Sequence, residues 1–303
     1  MEPGDVAITF LSTGKVRIKT SMKSQPIDNK NAILRRMRSF FDRSWSDELP
    51  VGVFLISHPD GPILFDTGES PLCNDPGYHS MLSTGRFFAQ TVIGKDEGIV
   101  SQLKERGIEP KTLQAIVLSH LHGDHAGGLP ALLEEAPDVP VYTTKEHWDA
   151  FGNSPIHATI NGCAPQHWPN NFKPQILEKT QNTIGPWASY YSITKDASVV
   201  AVDTPGHVPG HISLIVCAKN ENQDPINFFL VGDATYSIED LDSEQPDGIN
   251  DDPETAFRSL QQIKQYARLH DVVMLPSHDP NTPEMLNQRT LYRPTDGNKA
   301  LQL

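Results

Sequence analysis

The sequence predicts an α/β fold in which two β-rich halves pack sheet against sheet with helices outside. Three observations point there. Short β-branched segments broken by turn residues fill the first stretch of the chain. From about residue 97 helical and extended patterns alternate. Ionisable residues recur directly after strands that read as buried. The 303 residues suit one α/β domain, taken here as 1–303.

The elements follow in order. VAITFLSTGKVRIKT (6–20) reads as a hairpin turning at Thr13-Gly14, and VGVFLISHPDGPILFDTG (51–68) as a second one turning at Pro59-Asp60-Gly61. The intervening segment 21–48 contains NAILRRMRSFF, which fits either a lid or a solvated, basic amphipathic surface helix. EGIVSQLKERG reads as a helix ending near Gly107, and LQAIVLSH as a buried strand. HAGGLPALLEEA starts another helix, and VPVYTT is the next strand. Residues 152–185 have weak periodicity and many Pro, Asn, Gln and aromatic residues, the marks of an insertion or substrate loop. Three strands then lie in ASVVAVDTPGH, GHISLIVCAK and INFFLVGDATY. DDPETAFRSLQQIKQYARL is a helix with Asp252 as its cap, Pro253 in the first turn and Glu254 at the positive end. DVVMLPSHD supplies the last strand.

Composition narrows the function. With 25 basic and 38 acidic residues the net charge is -13, which repels phosphate backbones and anionic lipid, so neither nucleic acid nor a membrane surface is expected as a partner. Cys73, Cys163 and Cys217 are odd in number and far apart, as in a reducing compartment. Met1 to Phe10 lacks the basic-then-apolar pattern of a signal peptide, and no stretch approaches the ~20 apolar residues of a membrane span. A soluble, cytoplasmic protein is expected.

SHLHGDHAGG (119–128) carries the chemistry. In extended backbone His120 and His122 share one side, so two imidazoles reach one cation. Asp124 and His125 follow on a turn that aims them at another point nearby. Imidazole and carboxylate are the usual ligands of a catalytic zinc, and four such groups divide more naturally between two metals than around one. Gly127 and Gly128 permit close backbone approach beneath them. Further donors follow predicted strands: His207 and His211 in DTPGHVPGH, Asp233 in VGDATY, and His278 in LPSHD. Singly, each is as well explained as a turn cap or a structural polar group. Three histidines and an aspartate in six positions are not, because burying them without a cation or hydrogen-bond partners is costly.

SHLHGDH, TPGHVPGH, GDATY and PSHD, in this order, together with ILFDTG (63–68), resemble the metallo-β-lactamase superfamily over roughly residues 50–280. The resemblance implies an αββα sandwich of two mixed β-sheets flanked by helices, with two Zn2+ per chain, other divalent ions being able to replace zinc. Carried over by motif, His120, His122 and His207 would hold one metal. Asp124, His125 and His278 would hold the other, with Asp233 bridging. His211 and Asp66 would support the ligands without binding metal. Cys217 does not match the cysteine ligand of many β-lactamases; Asp233 stands at that place.

Such a pair of ions can share a hydroxide and polarise a carbonyl, a plan for opening an acyl bond without an acyl-enzyme. Tyr236, three residues after Asp233, is either an ordinary packed tyrosine or a donor to the carbonyl oxygen as charge develops. GDATY with TPGHVPGH resembles the N-acyl homoserine lactonase branch, where a tyrosine at this spacing contacts the substrate. Asp124, Asp233 and Tyr236 are therefore the candidate catalytic groups. The expected partner is a small cyclic substrate: a lactone, with an acyl homoserine lactone, a lactam or a cyclic carbamate as alternatives. Phe40, Phe41, Trp45, Phe151, Trp168 and Phe172 fit an apolar pocket wall, a core or a homodimer contact equally well. Among rivals, a glyoxalase-II-like thioesterase wants a basic C-terminal patch, of which NQRTLYRPTDGNKALQL has only three basic residues. A nuclease wants a basic surface. A metal-binding protein with a degenerate site is the non-enzyme alternative.

Overall fold

The computed structural model describes residues 5–219 and 224–295; the end of the C-terminal tail weighed above lies outside them. The chain divides into two compact units, one made of residues 5–18 and 47–177, the other chiefly of 19–46 and 178–303.

The first unit holds a mixed seven-stranded sheet. Its strands are β1 (Ala7–Ile18), β2 (Leu49–Ser57), β3 (Ile63–Phe65), β4 (Ala89–Val92), β5 (Ala115–Val117), β6 (Val141–Thr143) and β7 (Gln175–Ile176), in the order β4-β1-β2-β3-β5-β6-β7. The expected turn at Pro59-Asp60-Gly61 joins β2 to β3, closed by Gly61 N–H donating to His58 O at 3.0 Å. The expected hairpin at Thr13-Gly14 does not form. β1 runs straight through, and its register on β2 slips between Ser12 and Lys15. Gly14 sits there at φ 106°, where a Cβ would stand 2.6 Å from Val92 O. The Thr-Gly pair thus marks a bulge, which lets the second half of β1 also pair with β4. β3, β5 and β6 are parallel and buried, so their carboxyl ends lie along one edge. Ile99–Glu105 and Leu129–Glu135 are helices with Ile99, Leu103, Leu129 and Leu132 buried.

The second unit holds a mixed five-stranded sheet of β8 (Tyr191–Ser192), β9 (Val199–Asp203), β10 (Ile212–Lys219), β11 (Pro225–Gly232) and β12 (Val272–Pro276), in the order β12-β11-β10-β9-β8. β11 and β12 are parallel and the other pairs antiparallel. The helix Pro253–Leu269 starts on Asp252, whose side chain accepts from Glu254 N–H and Thr255 N–H, as its sequence predicts. Its Leu260, Ile263 and Tyr266 share an apolar core with Phe229, Val231 and Met274 of the sheet. Each fully buried aliphatic side chain there contributes roughly 1.5–3 kcal/mol. The expected helix in NAILRRMRSFF forms as Ala32–Phe41. Among the described residues, no helix is long and apolar enough to cross a membrane.

Candidate metal centre

The parallel pairing of β3 and β5 sets the first group of donors. Asp66 leaves the end of β3 at φ 64°, an uncommon conformation for a residue other than glycine. Its buried carboxylate accepts from Ser119 N–H at 2.7 Å, Ser119 Oγ at 2.8 Å and His125 Nδ1 at 2.8 Å. Thr67 reinforces the clamp, its N–H and hydroxyl both donating to His125 O at 2.7 and 2.9 Å. Close backbone approach at the two glycines is real. A Cβ on Gly127 would lie 2.4 Å from Gly123 O, and one on Gly128 would lie 2.4 Å from Thr67 O. Leu121 N–H donates to Nε2 of the buried His147 at 2.9 Å, fixing the chain between the first two histidines.

The same network orients the imidazoles. His125 donates from Nδ1 to Asp66. Ser119 Oγ donates to Asp66, which makes His120 Nδ1, 2.9 Å away, a donor to that hydroxyl. Both rings therefore carry their lone pair on Nε2, the form a metal ion requires. His120 Nε2 lies 2.8 Å from His122 Nδ1.

The second group gathers at one end of the five-stranded sheet. The loop joining β9 to β10 carries His207. Asp233 follows the end of β11, and His278 comes two residues after β12. Gly206, at φ 131°, lets this loop lie on the first turn of Pro253–Leu269, where a Cβ would stand 2.2 Å from Ala256 N. His207 Nδ1 donates to Asp247 Oδ2 at 2.9 Å, so its Nε2 also carries the lone pair; that atom is 3.7 Å from Asp233 Oδ2. His278 Nε2 is 3.2 Å from Asp233 Oδ1. His211 has both ring nitrogens committed. Nδ1 lies 3.1 Å from Thr204 O, and Nε2 accepts from Asp233 N–H at 3.1 Å, so the ring holds Asp233 in place. Tyr236 is buried, its ring 5.2 Å from that of His278 and 6.3 Å from that of His207.

Donor atoms of these residues form three groups, each lying within 4.8 Å: His120, His122 and His207; His120, His125 and Asp233; Asp124, His125 and His278. All seven residues named from the sequence as ligands belong to at least one group, and His211 and Asp66 to none. Nitrogen and carboxylate oxygen donors, three of the imidazoles (His120, His125 and His207) being held with Nε2 free to ligate, fit a divalent transition metal. Sequence reasoning missed Ser119, His147, Asp247 and Asp279. Asp279 accepts from Ile238 N–H at 3.0 Å and so ties the loop of Tyr236 to the segment of His278. Ser119 adjoins the histidine cluster and His278 adjoins Asp279, a signal that was available. Asp247 lies in a Pro-Asp-Gly stretch that reads as a plain turn, and nothing in the sequence marks His147.

Glu69 is buried beside this group. Burial pushes its carboxyl up to about 8, opposed by the hydrogen bond from Ser70 N–H and helped by the charge of Asp124.

Residues 46–278 match the family model of the metallo-beta-lactamase superfamily. The N-acyl homoserine lactonase AttM of Rhizobium radiobacter is 29% identical over 236 residues, 77% of this chain and 83% of the relative. The N-acyl homoserine lactonase AiiA of Bacillus thuringiensis subsp. kurstaki is 30% identical over 237 residues, 76% and 82%. A solved N-acyl homoserine lactone hydrolase, with the product N-hexanoyl-L-homoserine at its catalytic metal centre, superposes with a TM-score of 0.66 at 24% identity, covering 94% of this chain and 96% of that one. The two mixed sheets flanked by helices are the fold of that family, and its divalent-metal site has its donor residues here. The chain belongs to the metallo-β-lactamase superfamily, as a metal-dependent hydrolase.

Proposed function

We propose that this chain, acting as one metallo-β-lactamase-like domain, hydrolyses a small cyclic ester with two zinc ions bound. The observation that carries the reading is the grouping of donors. His120, His122 and His207 suit one ion, Asp124, His125 and His278 suit a second, and Asp233, with one oxygen toward His278 and the other toward His207, suits a bridge. When bound, the ions would acidify a water and polarise the substrate carbonyl.

The protein's own residues do the rest. Asp66 and Asp247 hold the Nδ1 protons of His125 and His207, which keeps those rings in the ligating tautomer. His211 fixes the backbone of Asp233. Tyr236, buried against His278 and His207, supplies a phenol to the carbonyl oxygen as negative charge gathers there. The lactonase relatives favour a lactone over other rings, and among lactones an acyl homoserine lactone.

The test is a panel of lactones, thioesters, lactams and cyclic carbamates of varied ring and tail, offered to zinc-reconstituted protein alongside metal analysis. The expected result is two ions per chain and fastest turnover on a lactone. At most one ion after careful reconstitution contradicts the pairing, and a lactam, carbamate or thioester opened faster than every lactone moves the substrate.

A further inference from the structure

The segment 21–41 raises a question that its surface does not answer. One side of the helix Ala32–Phe41 is apolar and exposed, with Ile33, Leu34, Met37, Phe40 and Phe41 each at least 48% exposed. The other side buries Arg35 completely, at 1% exposure. A buried guanidinium is costly unless its donors are satisfied, so what it holds is informative.

Arg35 turns its guanidinium to the backbone. Its two Nη groups lie within hydrogen-bond distance of five backbone carbonyls, Pro26 O at 2.6 Å, Asn29 O at 3.2 Å, Gln25 O at 3.0 Å, Pro246 O at 2.8 Å and Asp247 O at 2.9 Å, while its Nε has no partner among the described residues. Its neighbour Arg36 donates to Ile249 O at 3.1 Å and pairs with Asp251, whose N–H donates to His207 O at 3.1 Å. Two backbone bonds close the same seam, Gln25 N–H to Pro246 O at 2.9 Å and Gly248 N–H to Met22 O at 2.8 Å. The approach is so tight at Gly248 that a Cβ would lie 2.0 Å from Ser21 O. The two adjacent arginines of NAILRRMRSFF thus grip one run, 246–251.

That run presents Asp247. Its Oδ1 accepts from Ile249 N–H at 2.8 Å, and its Oδ2 accepts from Asn250 Nδ2 and from His207 Nδ1. Two of these three hydrogen bonds come from the gripped run itself, and the third is the one to His207. The positive charge of Arg35 lies close enough that Asp247 is the strongest influence opposing the effect of burial on that guanidinium.

We propose that Asp247 is a positioning residue for the metal ligand His207, and that Arg35 and Arg36 of the helix Ala32–Phe41 act as its buttress, so that segment 21–41 sets the affinity of one metal ion. The proposal rests on the reading that His207 holds a metal. It goes beyond that reading in giving the segment a duty at the metal centre.

The experiment is a titration of the metal-free full-length protein with Co2+ alone, read by visible absorption and by a competing chelator, for wild type, Asp247→Ala, Asp247→Asn and Arg35→Lys. Asp247→Asn keeps the size of the side chain. It cannot keep both oxygens as acceptors, so its amide must confront either Ile249 N–H or the donors on Asn250 and His207. Lysine keeps a charge at position 35 but cannot reproduce the planar fork. The expected result is two ions in wild type, and in Asp247→Ala a loss of affinity of about ten- to a hundredfold for one ion only. Asp247→Asn and Arg35→Lys should show smaller losses for that same ion, with a changed cobalt spectrum. Thermal unfolding of the metal-free forms separates a structural role. A variant with lowered Tm and unchanged cobalt affinity overturns the proposal, as does weakening of both ions equally. If a variant fails to fold, the isosteric Asp247→Asn alone decides. Wild-type protein that takes up no cobalt overturns the site reading, and the proposal with it; wild type with two ions and Asp247→Asn identical to it in affinity and spectrum overturns the proposal alone.

Discussion

The two groups of donors are built in opposite ways. The first is local: His120, His122, Asp124 and His125 come from six consecutive positions, and one buried carboxylate, Asp66, pins the loop that carries them through three hydrogen bonds. The second is dispersed: His207, Asp233 and His278 come from three chain segments, each after a different strand, and separate residues brace their surroundings. Asp247 holds His207, His211 holds Asp233, and Asp279 ties the segment after His278 to the loop of Tyr236. A compact loop can be preorganised by one central carboxylate with a few reinforcing bonds around it. A dispersed set needs strand register to bring its members together, and then separate supports.

This contrast ranks the mutations. The largest effect should follow removal of Asp233, the dispersed residue whose two oxygens face two histidines. Losing the Lewis-acid contribution of a correctly spaced pair is worth several kcal/mol, on the order of a thousandfold in rate. Asp233→Ala should therefore abolish measurable lactone turnover, and metal analysis should find the pair disrupted. Unchanged turnover would reject the bridge.

Next comes the helper of the compact loop. Asp66→Ala strips three hydrogen bonds at once and releases the Nδ1 proton of His125, so metal affinity should fall by about ten- to a hundredfold. If a single helper serves the whole loop, the loss should touch ions bound by both His120 and His125. The corresponding loss in Asp247→Ala should touch one ion only. Equal patterns in the two variants would erase the distinction drawn between the compact and the dispersed donors.

The same contrast explains what could be read from the sequence. The compact cluster announces itself, because histidines at positions i and i+2 after a buried strand have few other uses. His207, Asp233 and His278 each look like an ordinary strand-end residue; their places after predicted strands made them candidate donors, and the resemblance to a known family assigned them to particular metals. Strands and the capped helix Pro253–Leu269 were legible from β-branched runs and from Asp252. The hairpin expected at Thr13-Gly14 was not, because a Thr-Gly pair serves a bulge as well as a turn, and only pairing of β1 with two neighbours decides between them. Arg35 was least legible of all. In a pattern of exposed charges a buried arginine looks like its neighbours, since its five carbonyl partners leave no trace in side-chain chemistry.

Tyr236 lies next in expected effect. It belongs to the dispersed side, three residues beyond Asp233, and touches the centre through ring contacts with His278 and His207. Tyr236→Phe keeps the packing and removes the hydroxyl. If the phenol stabilises the developing oxyanion, kcat should fall by on the order of tenfold or more with metal content unchanged. A variant with wild-type kinetics would assign the residue to packing alone.

The smallest effect concerns the compact side and the metal-free protein, and it is one of stability. Glu69 is buried beside the cluster, and burial raises its carboxyl from the ordinary 4.5 to about 8. Between those two values the unfolded chain gives up the proton while the folded chain keeps it, so stability falls as pH rises through that window and levels off above about 8. Glu69→Gln keeps an acceptor for Ser70 N–H, now bound to Glu69 Oε1 at 2.8 Å, and has no proton to lose. Its stability should match wild type near pH 4.5 and exceed it increasingly up to about 8. Chemical denaturation of both metal-free proteins at several pH values measures the difference directly. Parallel curves would mean that water reaches this carboxylate, and that the compact loop is less tightly closed over Glu69 than Gly123 and Gly127, the glycines packed against it, indicate.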